Sequence, residues 1–157
     1  MSDELTVASH LTDERVPDGS IAPELIKQAG SMSTLTADKA YDQIGVYQAA
    51  IDHGSTDLKL LIHPRTDAVI SASNQAALRQ RDVYVKSIKE DGVLAWRRTS
   101  GYYRQSTVEN MFYRYKILIG DGLRARGENS RQVESVLACN ILNQFRLLGR
   151  PQCELVA

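Results

Sequence analysis

Glu109, Tyr113 and Lys116 stand four and then three residues apart, a spacing that puts a carboxylate, a phenol and an ammonium along one edge of a helix. Seven residues are almost two turns, so Glu109 and Lys116 point within about 20° of each other. Arg104 and Arg114 add cationic groups on either side. Glu109 has two readings. It closes Ser106-Thr107-Val108-Glu109, the Ser-x-x-Glu form of a capping box, in which the carboxylate only satisfies an orphan amide at a helix start. Alternatively it is a metal-binding carboxylate whose cationic neighbours receive a phosphate backbone. Spacing leaves both open. A second carboxylate, Asp38, follows the short apolar run Ser33 to Ala37. It sits where α/β sheets place their chemistry, at the carboxyl end of a strand, or else it initiates a turn.

These groups need elements to hold them. After the capping box, Val108, Met111, Phe112, Tyr115 and Ile119 make an apolar stripe, ended by Gly120 and Gly122. Upstream, Leu5 to Leu11 alternates like a strand, and Ile21 to Gln28 reads as a short helix with Pro23 in its first turn and Gly30 as its stop. Ser33 to Ala37 is a buried strand. A helix from about Asp42 to His53 turns Ile44, Tyr47, Gln48 and Ile51 inward and closes at Gly54. Leu58 to His63 is the clearest strand, ended by Pro64. A polar loop from Arg65 to Ser73 leads to a basic helix from about Gln75 to Glu90, broken at Asp91-Gly92. Ser130 to Leu148 is a last amphipathic helix with Val133, Leu137, Ile141, Phe145 and Leu148 inward. The alternation of strand and helix predicts an α/β sheet with at least one parallel pair.

The 157 residues, 43% apolar and 24% charged, suit one domain with a proper core. No stretch approaches the roughly 20 apolar residues of a membrane span, and the acidic start is unlike a signal peptide, so a cytoplasmic location with no membrane partner is expected. Cys139 and Cys153 lack metal-ligand spacing and read as reduced, structural thiols. His10, His53 and His63 are too scattered for a zinc site. The net charge of zero hides a division: up to Asp57 there are ten acidic residues against three basic, so the remainder is as basic as this part is acidic. Arginines interleaved with aromatics, as in Trp96-Arg97-Arg98 and Tyr102-Tyr103-Arg104, suit a polyanion such as nucleic acid; a solvated charged face is the other reading. There is no internal repeat, glycine-rich phosphate loop or serine-nucleophile elbow.

Taken together, Asp38 and Glu109 resemble the pattern of the DDE transposases of bacterial insertion sequences, in the group of families four and five. That family has a strand ending in Asp-Gly-Ala-Tyr-Asp and later the signature Tyr-x2-Arg-x3-Glu-x6-Lys. Here they read Asp38-Lys39-Ala40-Tyr41-Asp42 and Tyr102-x2-Gln105-x3-Glu109-x6-Lys116. The tail LRARGENSRQVESVLACNILNQFRLLGRP is similar to the family's end, and the likeness runs from about Glu4 to Pro151.

The resemblance implies a ribonuclease H-like mixed sheet with flanking helices, a single catalytic domain over residues 1–157. Asp38 and Glu109 would be the second and third metal-binding carboxylates of a triad holding two magnesium ions roughly 4 Å apart, which activate the attacking oxygen and stabilise the leaving one at a phosphodiester. Tyr102, Arg104, Gln105, Arg114 and Lys116 would face the transposon-end DNA. Gln105 stands where the family has Arg, which removes a charge there. Lys39 replaces Gly, and its ammonium either pairs with a carboxylate or faces solvent. The first Asp lies, in the family, on a strand with no counterpart in this sequence, so the sheet is expected to be incomplete and the chain inactive alone, as the carboxyl-terminal part of a transposase. The alternatives are a non-catalytic DNA-binding or regulatory partner of a full-length transposase, self-association included, and a remnant that does not fold.

Overall fold

The computed structural model describes residues 5–13, 15–53, 57–71 and 76–149, and for 76–77 and 104–108 the backbone only. The described residues form six α-helices, two short 3-10 turns and two strands: α1 (Asp18–Gln28), β1 (Thr34–Ala37), a 3-10 turn Lys39–Tyr41, α2 (Ile44–Asp52), β2 (Lys59–Ile62), α3 (Ala76–Asp91), α4 (Val93–Ser100), a 3-10 turn Tyr102–Gln105, α5 (Ser106–Leu118) and α6 (Glu128–Leu147). They belong to two compact units, a sheet unit of Thr12–Ser106 and a helical unit combining Met1–Leu11 with Thr107–Ala157.

In the sheet unit, β1 and β2 pair in parallel, Thr34 opposite Lys59 through Ala37 opposite Ile62. The chain crosses between them through α2, as a parallel pair requires. β2 is apolar on both faces, and both are covered. Leu60 and Ile62 pack with Ile26 of α1 and with Val46, Tyr47 and Ala50 of α2. Leu61 points the other way, onto Trp96 and Tyr102, with Tyr84 and Ile88 of α3 beside them. Burial on both sides explains why LKLLIH reads as an almost continuous apolar run rather than an alternating one. The outer edge of β2 is closed by a side chain: Gln80 Oε1 accepts from Leu60 N at 3.0 Å and its Nε2 donates to Leu58 O at 2.8 Å. One amide thus does for this edge what a neighbouring strand would do.

Several expectations need correction. Leu5 to Leu11 is not a strand; its residues are irregular. Thr6 meets the Asn143 side chain instead, N–H to Oδ1 at 2.8 Å and Nδ2 to Thr6 O at 2.7 Å, and Leu11 N donates to Gln132 Oε1. α1 begins at Asp18, which leaves Pro23 inside the helix rather than in its first turn. α2 buries Val46, Tyr47, Ala49 and Ala50, whereas Ile44, Gln48 and Ile51 are exposed. Of the expected inward set only Tyr47 is inside, because the small alanines let α2 lie close to the sheet. α4 was not expected at all. Gly92 and Gly101, at φ 85° and 83°, bracket it, and the second ends it in the left-handed conformation that glycine adopts without strain.

In the helical unit, α6 buries Ala138 and Leu142. The expected inward residues Val133, Leu137, Ile141, Phe145 and Leu148 are exposed. On α5, Met111 and Tyr115 are half-buried, as is Ile119 just beyond its end, and Phe112 is exposed. The connector before α6 is held by Glu134, whose carboxylate accepts from Arg124 N and Ala125 N at 2.8 to 3.0 Å. The Gly54 stop, Ser73, Gln75 and Cys153 lie outside the described residues, and the capping-box side chain of Ser106 is not described.

Candidate functional site

β1 delivers Asp38 immediately after Ala37, with the backbone still extended at φ −80° and ψ −178°. The carboxylate is exposed, and its Oδ1 accepts from Ala40 N at 2.8 Å, capping the 3-10 turn that follows. An Asp at this place suits that geometry, because its short side chain reaches the amide two residues on. Lys39 is also exposed and, among the described residues, forms no ion pair. Of the two outcomes for its ammonium, the structure takes the solvent-facing one. Gly19 of α1 lets the turn come close: a Cβ there would lie 2.9 Å from Ala40 O and clash with the Gln43 side chain.

The turn ends on Asp42, which is buried and collects four donors. Arg81 Nε and Nη2 reach Oδ1 at 2.7 Å and Oδ2 at 3.4 Å, Tyr47 Oη donates to Oδ1 at 3.0 Å, and Arg65 N donates to Oδ2 at 2.8 Å. The Asp42 side chain is wholly inaccessible and that of Arg81 is 15% exposed. Burial and then the Asp42 charge push the Tyr47 phenol far above its ordinary value, so it stays a donor. For Arg81, burial works against the charge, but the Asp42 hydrogen bond and charge outweigh it and raise its pKa. One carboxylate thereby fastens the turn after Asp38 to α2, α3 and the loop after β2. Sequence reasoning did not single out Asp42 as a binding group. Its partners lie up to 39 residues away, and the only local signal was an acidic residue at the head of an apolar helix.

At the neighbouring strand end, His63 N donates to Ala37 O at 3.2 Å and continues the ladder one residue beyond Ile62. The imidazole Nδ1 lies 2.7 Å from Pro64 O, and the ring stands edge-on to Trp96 and Tyr102. Tyr102 is only 6% exposed, and its hydroxyl donates to the same Ala37 carbonyl at 3.2 Å. The structure thus brings Tyr102 to the Asp38 strand end. Arg104 and Gln105 are described in backbone only, in the 3-10 turn that follows.

The helical unit carries the remaining candidates on α5. Glu109, Tyr113 and Lys116 are all exposed, and Glu109 lies in the first turn. Arg114 is half-buried and lines a cavity of about 280 Å³ with Phe145, Arg146 and Gly149. Asp38 belongs to one unit and Glu109 to the other. Both are exposed hard-oxygen donors, the kind that magnesium takes. Among the described residues no three His, Cys, Asp or Glu side chains are grouped as a metal cage.

A parallel strand pair flanked by helices, with an exposed carboxylate at its carboxyl end, defines an α/β protein of the kind that places chemistry at strand ends. The sequence profile of the transposase DDE domain matches residues 2–144, and the chain belongs to that family. Transposases of this kind act on DNA and generally use divalent metal ions. No curated protein and no solved structure matches the chain. Among the described residues no helix is long and apolar enough to cross a membrane.

Proposed function

We propose that the chain is part of a ribonuclease H-like catalytic domain of a bacterial insertion-sequence transposase, in the group of families four and five. Asp38 and Glu109 are two of its magnesium-binding carboxylates. When bound, the metal supplies charge stabilisation at the phosphodiester and a more acidic attacking hydroxyl or water. Asp38 offers the metal a carboxylate already oriented through Ala40 N, and Glu109 offers another on a helix whose Lys116 can receive phosphate. Arg104, Arg114 and Lys116 provide cationic contacts to the element-end DNA, with Gln105 beside them in the signature; the Tyr102 hydroxyl, buried against Ala37 O, is turned to the protein instead of the DNA.

The observation that carries this reading is Asp38: an exposed carboxylate at the carboxyl end of a strand in a parallel pair, within the matched transposase domain. The resemblance assigns two of three carboxylates to this sequence, so the chain by itself is proposed not to cut DNA. The test is magnesium-dependent nicking of supercoiled DNA. Unchanged plasmid is expected; nicking that Glu109→Ala abolishes would overturn the proposed inactivity and leave the carboxylate assignment standing. DNA binding that is steeply salt-dependent and indifferent to Asp38→Asn, in a chain that binds no divalent ion, would favour a non-catalytic DNA-binding partner.

A further inference from the structure

Tyr102 lies inside the sheet unit, not at its surface. Its ring packs against Trp96 at 5.0 Å between centroids and against His63 at 5.7 Å, with the Arg97 guanidinium 5.8 Å from its centre. Gly101 turns the chain at the end of α4, so that the next residue drops toward the sheet. The hydroxyl then meets Ala37 O, which also accepts the last rung of the ladder from His63 N. A carbonyl oxygen has two lone pairs, and here both are taken. The carbonyl carbon of Ala37 is bonded to the nitrogen of Asp38. Fixing that peptide plane fixes the direction in which Asp38 leaves the strand, and Ala40 N then holds the carboxylate from the other side.

We infer that Tyr102 is a positioning residue for Asp38, acting through the Ala37 carbonyl. This rests on the reading of Asp38 as a metal-binding carboxylate and goes beyond it. The first tyrosine of the signature does its work on the protein side of the metal site, so the signature stretch and the Asp38 strand form one device. Tyr102 does not touch the metal; it keeps the carboxylate aimed, and removing its hydroxyl lets the Asp38 peptide rotate and weakens the ion's hold without changing any donor atom.

The test uses the whole chain, labelled with ¹⁵N, and Mn²⁺ alone as the probe. In the unsubstituted protein the amide signals around Asp38 broaden as Mn²⁺ is added, and Asp38→Asn removes the effect. Tyr102→Phe keeps the ring and deletes the hydrogen bond to Ala37 O, so the half-saturating Mn²⁺ concentration rises roughly three- to tenfold. Tyr84→Phe removes a hydroxyl from the same aromatic cluster, where Tyr84 stands edge-on to Trp96 at 5.6 Å, and leaves that concentration unchanged. Equal effects of the two substitutions would overturn the positioning role while the metal reading stood. Absence of any Asp38-dependent broadening in the unsubstituted chain would overturn the metal reading, and the inference with it. A measurement without substitutions guards against a variant that fails to fold. Coupling is reciprocal, so saturating Mg²⁺ must move the ¹³C resonance of the Ala37 carbonyl; an unmoved resonance with Mg²⁺ bound overturns the inference.

Discussion

Arg81 on α3 closes on Asp42 from 39 residues away, its Nε 2.7 Å from Oδ1 and its Nη2 3.4 Å from Oδ2. The same guanidinium donates to Val69 O at 2.9 Å, so the loop after β2 is tied to the turn after β1. Both loops at the carboxyl end of the sheet therefore depend on one ion pair.

Because the pair is buried, removing one partner leaves the other charged and unmatched. Asp42→Ala is expected to destabilise the sheet unit by about 3 to 5 kcal/mol. Urea unfolding followed by the fluorescence of Trp96, the one tryptophan, measures it. A loss below about 1 kcal/mol would show that the loops are held by other means.

Glu134 gives a pH dependence whose sign follows from its partners. The amides of Arg124 and Ala125 hold its carboxyl below the ordinary carboxylate value of 4.5. Its folded pKa is depressed, so its contribution is present above the unfolded value and is lost as pH falls through the folded one. Glu134→Gln should therefore lower stability near neutral pH, with the difference from the unsubstituted chain vanishing in acid. The Arg124 and Ala125 amide shifts, titrated by NMR, should follow a midpoint below 4.5. A midpoint above that value would contradict the assignment.

The two faces of α6 differ in what they can tolerate. Leu142 is buried and Leu137 is 55% exposed. Leu142→Ala is expected to cost about 2 kcal/mol or more, and Leu137→Ser no more than about 0.5 kcal/mol, in thermal or urea melts. The reverse order would restore the inward face that the apolar spacing suggested.

Binding to duplex DNA is expected to weaken with salt, and Arg114→Ala and Lys116→Ala each to lower the slope of log K against log salt by about 0.9. Fluorescence anisotropy with a labelled duplex gives both slopes. Unchanged slopes would remove these two cations from the DNA-facing set.

The parts of the fold legible in the sequence were those with a strong local mark. The runs before Asp38 and before Pro64 are short, apolar and bounded by turn formers, and β1 and β2 lie within them. The basic helix from Gln75 corresponds to α3, and the capping-box helix to α5. What failed depended on partners distant in sequence. Leu5 to Leu11 has a strand's alternation, but among the described residues it pairs with the Asn143 and Gln132 side chains, not with a strand. α6 has apolar residues on more than one face, and the pattern alone could not say that Ala138 and Leu142 define the inner one. The placement of Asp38 at a strand end was legible because a short apolar run precedes it. Asp42 and Arg81 were not, because a buried ion pair across 39 residues leaves no spacing to read.

The contact between Thr6 and Asn143 joins residues 137 positions apart, while the sheet unit is one uninterrupted stretch of chain. During synthesis the sheet unit has all its residues before α6 is made, and it can complete its core first. The Thr6 stretch is made before the sheet unit and must wait, with its backbone groups hydrated, until α6 arrives. A ribosome that stalls before Asn143 would therefore leave a folded middle beside a Thr6 stretch that still lacks its Asn143 partner.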